Sequence, residues 1–404
     1  MEAEFAGLRR RRRLRVVSAR VLRTFFSLRN LFLVLVVAIA VAAVVERSWV
    51  DAQLRAVAVL AVTGKIPVLA WTVRTLTDKP RYSDTEVAGV PTSIYRPGEG
   101  SQWPTIVFVN GVTKLGRHHP DVERLARALA RVGFLVYVPD PPGLKEGEIT
   151  PKTLAGTAAV VRAAVNRPDA RNGQVALVGV SNGTTLSLLV AEKRSLARRI
   201  SVVSGIAPYT DLAEMTRMAT TGKYYRDGRL APYEPEPFLG LVIARSLFAN
   251  LPPSRDRDVI LTKLLHMTEN TAEPLTYFRK LHPGELTPSV RPVVRLLANR
   301  DPRRFDRLYA ALPENLRTGV RRLSPIHEAA RLRAPVFIAS APHDKYFPLF
   351  ETQNLARKAT STDVSLTVTS TLHHAIPSIS FSAIGSLFAF DSWMVHSLRA
   401  AWKS

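Results

Sequence analysis

Residues 174–183 read Gln-Val-Ala-Leu-Val-Gly-Val-Ser-Asn-Gly. A short, β-branched run leads into Gly179-Val180-Ser181-Asn182-Gly183, a G-x-S-x-G pentapeptide, and Thr184 to Lys193 follows with helical composition. A serine between a buried strand and a helix is the setting of a nucleophile elbow, whose sharp turn holds the hydroxyl above the sheet edge. The flanking glycines answer a steric need, because a Cβ there would meet the neighbouring strand or helix. The chemistry would be acyl transfer through an acyl-Ser181, and it needs a base, since a free hydroxyl is a weak nucleophile at neutral pH. The plain alternative is a glycine-flanked βα turn with a solvated serine, and the pentapeptide alone does not decide.

Candidates for the base and its partner lie far downstream. Asp344 stands in Pro342-His343-Asp344, just past the apolar run Pro335 to Ser340, and His373-His374 follows the run Val364 to Thr369. An aspartate at a strand end can fix an imidazole tautomer, although it can equally cap the next turn. On the residues alone, His373 and His374 are equal candidates for the base. His118 and His119 read as a solvated loop pair, and His327 reads as structural. With no cysteine and no H-E-x-x-H, the chain offers no metal site, and no cofactor is expected.

The elements that must position these residues alternate from about Arg81 onward, short strands with amphipathic helices, which indicates an α/β domain with a parallel sheet. Strands are expected at Val90 to Tyr95, Thr105 to Val109, Phe134 to Val138, Gln174 to Val178 and Ile200 to Ser204, and helices at Val122 to Val132 and Thr153 to Val165. Between about Ala207 and Arg322 the strand signal disappears, and helical runs such as Phe238 to Phe248 and Val259 to Met267 take over. An interruption of about 110 residues is far longer than an ordinary connection, so it reads as an inserted helical cap. Phe238, Leu239, Leu241, Phe248 and Leu251 could line an apolar acyl channel there, or could form the cap's own core.

With these residues in view, the chain from Arg81 to its C-terminus resembles the α/β-hydrolase family. The likeness rests on Asn110-Gly111 after TIVFV, Pro139-Asp140-Pro141-Pro142-Gly143, the Gly179 to Gly183 elbow, Pro342-His343-Asp344 and His373-His374. It implies a triad in the order Ser181, Asp344, His374, with acid and base 30 residues apart. The form Leu-x-His before a small apolar residue is what selects His374 over His373. The resemblance also implies an oxyanion hole made by the backbone N–H groups of Asn182 and Val112. Two departures stand out: Asn110-Gly111 where the family usually has His-Gly, and Thr184 where many members have a second glycine. Asp140 matches a structural turn of the family and is given no catalytic role.

A net charge of +23 on 404 residues first suggests nucleic acid, but the arginines are spread along the chain and no nucleic-acid-binding motif appears. The one dense block, Arg9 to Arg13, shortly precedes Leu31 to Val45, an uncharged stretch whose apolar character, extended back past Arg29 to Phe25, reaches the ~20 residues of a bilayer span. Basic residues ahead of the span keep its N-terminus in the cytoplasm. Ala56 to Val73 is also apolar apart from Lys65, whose insertion would cost about 2.5–3.5 kcal/mol. It reads as a helix on the membrane surface or packed on the catalytic domain in preference to a second span.

The sequence is thus organised as a basic N-terminus over 1–24, a transmembrane helix over 25–46, and an apolar juxtamembrane segment over 47–80. The α/β-hydrolase core over 81–206 and 323–404 is interrupted by the cap over 207–322. The expected activity is a membrane-anchored serine hydrolase acting on an ester or thioester, its partners a small-molecule or lipid-like acyl substrate and the membrane, with no nucleic acid. An acyltransferase or peptidase on the same scaffold, or an inactive tethered scaffold, are the alternatives. Oligomeric state is not legible.

Overall fold

Pentapeptides with no polar face build the centre of the sheet. In the computed structural model, which describes residues 46–64, 66–98, 100–374, 376–377 and 384–404, the strands β3 (Thr105–Val109) and β4 (Leu135–Pro139) are buried at every position. Such strands are covered on both faces, as a parallel sheet flanked by helices requires. They join β1 (Arg81–Val87), β2 (Val90–Arg96), β5 (Val175–Val180), β6 (Ile200–Ile206), β9 (Val336–Ser340) and β10 (Val364–Val368) in an eight-stranded sheet. Its order is β1-β2-β4-β3-β5-β6-β9-β10. The β2 strand runs antiparallel to both β1 and β4, and every other pairing is parallel.

That order fixes where chemistry can happen. From β3 the chain crosses through α3 (Pro120–Arg131) to β4 on one side, then through α4 (Pro151–Val165) to β5 on the other. Connections leaving in opposite directions open a crevice at the carboxyl ends of β3 and β5, the switch point of an open α/β sheet. The elbow leads from β5 into α5 (Asn182–Ala191), which is buried along its whole length.

The region between β6 and β9 contains α6 (Leu212–Thr221), α7 (Pro237–Ala249), α8 (Arg255–His266), α9 (Arg291–Leu297), α10 (Pro302–Ala310) and α11 (Glu314–Arg322). It also contains a hairpin that the sequence reading did not anticipate, β7 (Lys223–Arg226) with β8 (Arg229–Pro232). Its turn residues Asp227 and Gly228 have φ of 49° and 77°, the positive pair that an Asp-Gly hairpin turn demands. That dipeptide was the available signal, and the surrounding Arg and Pro residues obscured it. The edge strand β1 was missed for another reason: RYSDTEV is almost wholly exposed and carries no apolar alternation.

From Arg55 to Ser404 the chain forms one compact unit. The expected span over 25–46, apart from its last residue, and the basic stretch 1–24 lie outside the described residues. The juxtamembrane segment forms two helices, α1 (Arg47–Thr63) and α2 (Pro67–Leu76), bent by 120° at the break between them. Pro67 starts α2, where its missing N–H costs nothing. Among the described residues no single helix is long and apolar enough to cross a membrane. Beyond β9 follow α12 (Leu349–Lys358), the short pair β11 (Leu372–His373) and β12 (Ile376–Pro377), and α13 (Ile384–Ala401).

Candidate active site

Strand β5 ends at Val180, and the chain turns at Ser181 with φ 54° and ψ −126°, a conformation costly for any residue but glycine. Surrounding bonds hold it there. The Ser181 N–H donates to the Ile206 carbonyl at 2.8 Å, and the Ser181 carbonyl accepts from Thr184 N–H at 2.9 Å and Thr185 N–H at 3.3 Å. A Cβ at Gly179 would overlap the Thr184 backbone, and one at Gly183 would overlap the carbonyls of Val109 and Asn110.

Thr184, the departure at the position of a second glycine, is accommodated from across the sheet. Its side chain is fully buried, and its hydroxyl bonds the Ile206 backbone at 3.0 and 3.2 Å. The space it fills is left open by Gly205 in β6, where a Cβ would overlap the Thr184 side chain. Gly205→Ala should therefore overpack the elbow and destabilise the fold by about 1–3 kcal/mol. Denaturant unfolding of Gly205→Ala with and without Thr184→Gly checks this. The second change should restore most of the loss, and purely additive effects would show that the two positions do not compete for one space.

Asp344, Ser181 and His374 come together although they are separated by up to 193 residues. His374 Nδ1 lies 2.9 and 2.8 Å from the two carboxylate oxygens of Asp344, and its Nε2 lies 3.0 Å from Ser181 Oγ. A carboxylate only accepts, so Nδ1 carries the proton, and the lone pair of Nε2 faces the serine hydroxyl. The Asp344 carboxylate has no solvent exposure, and its Oδ1 also accepts from Tyr346 N–H at 2.8 Å and Phe347 N–H at 3.1 Å. Two aromatic rings enclose the imidazole, Tyr346 at 4.3 Å and Phe347 at 5.5 Å between centroids. Burial pushes the Tyr346 hydroxyl up to about 12, helped by Glu236, Glu269 and Asp344, so it stays neutral beside the imidazole. His374 itself has φ 53°. His373 stands in β11, and its side chain is outside the described part of the structure.

The loop after β3 lies against the elbow. A Cβ on Gly111 would sit 3.3 Å from Ser181 Cβ and 3.9 Å from its Oγ, so Gly111 allows the close approach of this loop. Val112 follows directly and is half-buried. Asn182 opens α5, so its N–H has no acceptor within the helix. Asn110, in place of the usual histidine, is buried and donates from Nδ2 to the Gly116 carbonyl at 3.5 Å. Asp140 braces the same loop, accepting from Arg117 N–H at 2.8 Å and the Arg117 guanidinium at 2.6 Å. His118 and His119 do not reach Ser181. His118 lies near Asp84 and Glu123, and His119 caps α3 by accepting from Asp121 N–H. His327 is exposed.

Residues 106–375, more than half of the chain, match the family model described as "Alpha/beta hydrolase family". The chain belongs to the alpha/beta hydrolase family. No curated protein matches it. Among solved structures, this alpha/beta hydrolase is similar to DphMB1, at 20% identity over 82% of this chain and 91% of that one, with a TM-score of 0.44. It is similar also to the Pyrococcus furiosus esterase Pf2001, at 15% identity over 80% of this chain and 94% of that one, with a TM-score of 0.43. An acylaminoacyl peptidase of Pyrococcus horikoshii matches at 12% identity over 74% of this chain, with a TM-score of 0.43. The chain spans only 38% of that peptidase.

Within this hydrolase a narrow apolar recess, with room for about one water molecule, adjoins Asn182, walled by Tyr209, Met215, Leu239, Ile243 and Phe347. Of the five apolar cap residues singled out in the sequence, only Leu239 is on this wall. Phe248 stacks on Phe278 at 5.7 Å, Leu241 and Leu251 are buried, and Phe238 packs against the same core, so these four serve internal packing. Tyr209, Tyr346, Phe347 and Gly205 were missed by sequence reading. The acid-loop aromatics directly follow Asp344, and that adjacency was their one available signal. Glu351 fastens the Tyr209 loop, with Oε2 accepting from Thr210 N–H at 2.7 Å, Asp211 N–H at 2.8 Å and the Thr210 hydroxyl at 2.8 Å. Burial pushes its carboxyl up to about 7, with Asp211 adding to the rise and these donors opposing it.

Proposed function

We propose that this chain is a serine hydrolase that cleaves a carboxylic ester or thioester with an apolar acyl part, tethered to the membrane by the stretch Leu31 to Val45. The observation that carries the reading is the continuous hydrogen-bonded relay from Asp344 through His374 to Ser181. Ser181 Oγ attacks the substrate carbonyl carbon while His374 Nε2 takes the hydroxyl proton, and Asp344 stabilises the imidazolium that forms. The negative charge on the carbonyl oxygen goes to the N–H groups of Val112 and Asn182. Collapse breaks the bond to the alcohol or thiol, which leaves with the proton from His374. A water molecule repeats the sequence on the acyl-serine and releases the acid. The hydrocarbon walls of the recess beside Asn182 support an apolar acyl group, whose entry would have to widen a space that now has room for about one water molecule.

A fluorophosphonate probe tests this directly. The full chain should be labelled at one site, and the label should disappear in Ser181→Ala. An unlabelled wild-type protein, or equal labelling of the variant, would overturn the assignment.

A further inference from the structure

Helix α2 presents to solvent the side chains that a protein core would take. Val68 is 73% exposed, Trp71 67%, Leu76 80% and Leu69 44%. At 100° per residue these four share one arc of the helix with Thr72 and Thr75, while the buried Ala70 lies opposite. The two threonines do not spoil the arc. The Thr72 hydroxyl donates to the Val68 carbonyl at 3.0 Å, and the Thr75 hydroxyl to the Trp71 carbonyl at 3.0 Å. Each is satisfied inside the helix, so the face offers apolar surface without an unpaired side-chain donor.

Nor is this a fraying end. From Arg55 onward α1 is packed on its domain, with Ala56, Val59 and Val62 buried and the Arg55 guanidinium 3.5 Å from the centre of the Trp402 ring. At the far end of α2, the Arg131 guanidinium donates to the Thr77 carbonyl and hydroxyl at 3.1 Å and to the Asp78 carbonyl at 3.3 Å. The helix is held at both ends with its apolar arc outward. A contiguous apolar face of this kind marks an interaction site. Arg74, Lys79 and Arg81 are exposed around its C-terminal end, and Asp78 is the single acid between Ile66 and Arg81.

We propose that α2 lies in the plane of an anionic lipid bilayer, its Val68, Leu69, Trp71 and Leu76 face sunk to the level of the acyl-chain boundary, with Arg74, Lys79 and Arg81 among the headgroups. Charge complementarity selects lipid as the occupant. A short helix with one apolar arc, an interfacial tryptophan and basic flanks is the form that binds at this depth, and anionic headgroups attract the flanks. At about 15 Å a ten-residue helix is half the length of a span, and the bend before it turns the chain away from the direction of α1. The inference does not depend on the hydrolase reading.

The chain contains no cysteine, so single labels are unambiguous. Full-length Trp71→Cys and Leu76→Cys, with Asp227→Cys on the exposed hairpin turn as control, would carry an environment-sensitive fluorophore. They would be reconstituted in vesicles of phosphatidylcholine and phosphatidylglycerol. Labels at 71 and 76 should be blue-shifted and quenched several-fold more by lipids spin-labelled near the headgroup than by lipids labelled near the chain end, and the control should be unquenched. Water-like, unquenched emission at 71 and 76 would overturn the proposal. So would strongest quenching by the chain-end label, which marks a span. A blue shift without quenching by either lipid would mean that protein, either residues 25–45 or a second copy, covers the face, and this also overturns it.

Discussion

Replacing Ser181 with alanine should lower kcat/KM toward an activated acyl ester by at least about a thousandfold, leaving only the residual rate that an oxyanion hole and substrate binding can support. The size follows from the relay: without Oγ there is no atom for His374 Nε2 to deprotonate at the head of α5, and the acyl-enzyme route closes. Folding should survive. The Ser181 backbone is held by the Ile206, Thr184 and Thr185 bonds, none of which uses the side chain, and the hydroxyl's bond to His374 is worth about 1 kcal/mol. Thermal unfolding should therefore shift by no more than a few degrees. A variant that keeps more than about a thousandth of the wild-type rate would remove Ser181 from the mechanism.

Asp344→Asn should be as severe, by about ten-thousandfold in kcat, and the geometry gives the reason. Asp344 Oδ1 accepts from the N–H groups of Tyr346 and Phe347, so an asparagine must place its carbonyl oxygen there. Its amide nitrogen then occupies the Oδ2 position, 2.8 Å from His374 Nδ1. A donor at that position opposes the Nδ1 proton, which only the carbonyl oxygen at the Oδ1 position, 2.9 Å away, could then accept, and so favours the tautomer with the proton on Nε2, facing Ser181, where it can no longer take the hydroxyl proton. The variant should fold and still bind substrate, with the loss in kcat and not in KM. Paired variants of the two histidines complete the test: His374→Ala should be inactive and His373→Ala close to wild type. The reverse result would transfer the base to His373, and activity in both would remove the C-terminal half of the relay.

Much of the framework was legible because its determinants are local. TIVFV and the run before the elbow are strands by their own composition, and the structure places them at Thr105–Val109 and Val175–Val180. The elbow is a contiguous strand, turn and helix, so its pattern could be read directly. Where the determinant was distant, reading stopped. Thr184 looked like an anomaly because the glycine that makes room for it, Gly205, belongs to the next strand. Phe248 and Leu239 have similar composition and sit on the same helix, yet one stacks on Phe278 and the other borders the recess beside Asn182. Side-chain chemistry cannot separate those fates, because burial against a neighbouring helix and a place on the wall of an apolar recess draw on the same hydrophobic gain.

The apolar segment after residue 46 makes the same point at larger scale. Its composition suits a bilayer and a protein core equally, and only packing shows that α1 buries Ala56, Val59, Ala61 and Val62 while α2 leaves Val68, Leu69, Trp71 and Leu76 outward. The sequence by itself determined the buried strands of the sheet and the elbow with Ser181 at its apex, since each depends on neighbours within a few residues, whereas the order Ser181, Asp344, His374 came from the family resemblance. The tertiary structure decided that His374 reaches Ser181, that Asp344 is fixed by the amides of Tyr346 and Phe347, and that Gly205 answers Thr184. Those are contacts between segments that only the closing of the sheet brings within hydrogen-bonding and van der Waals range.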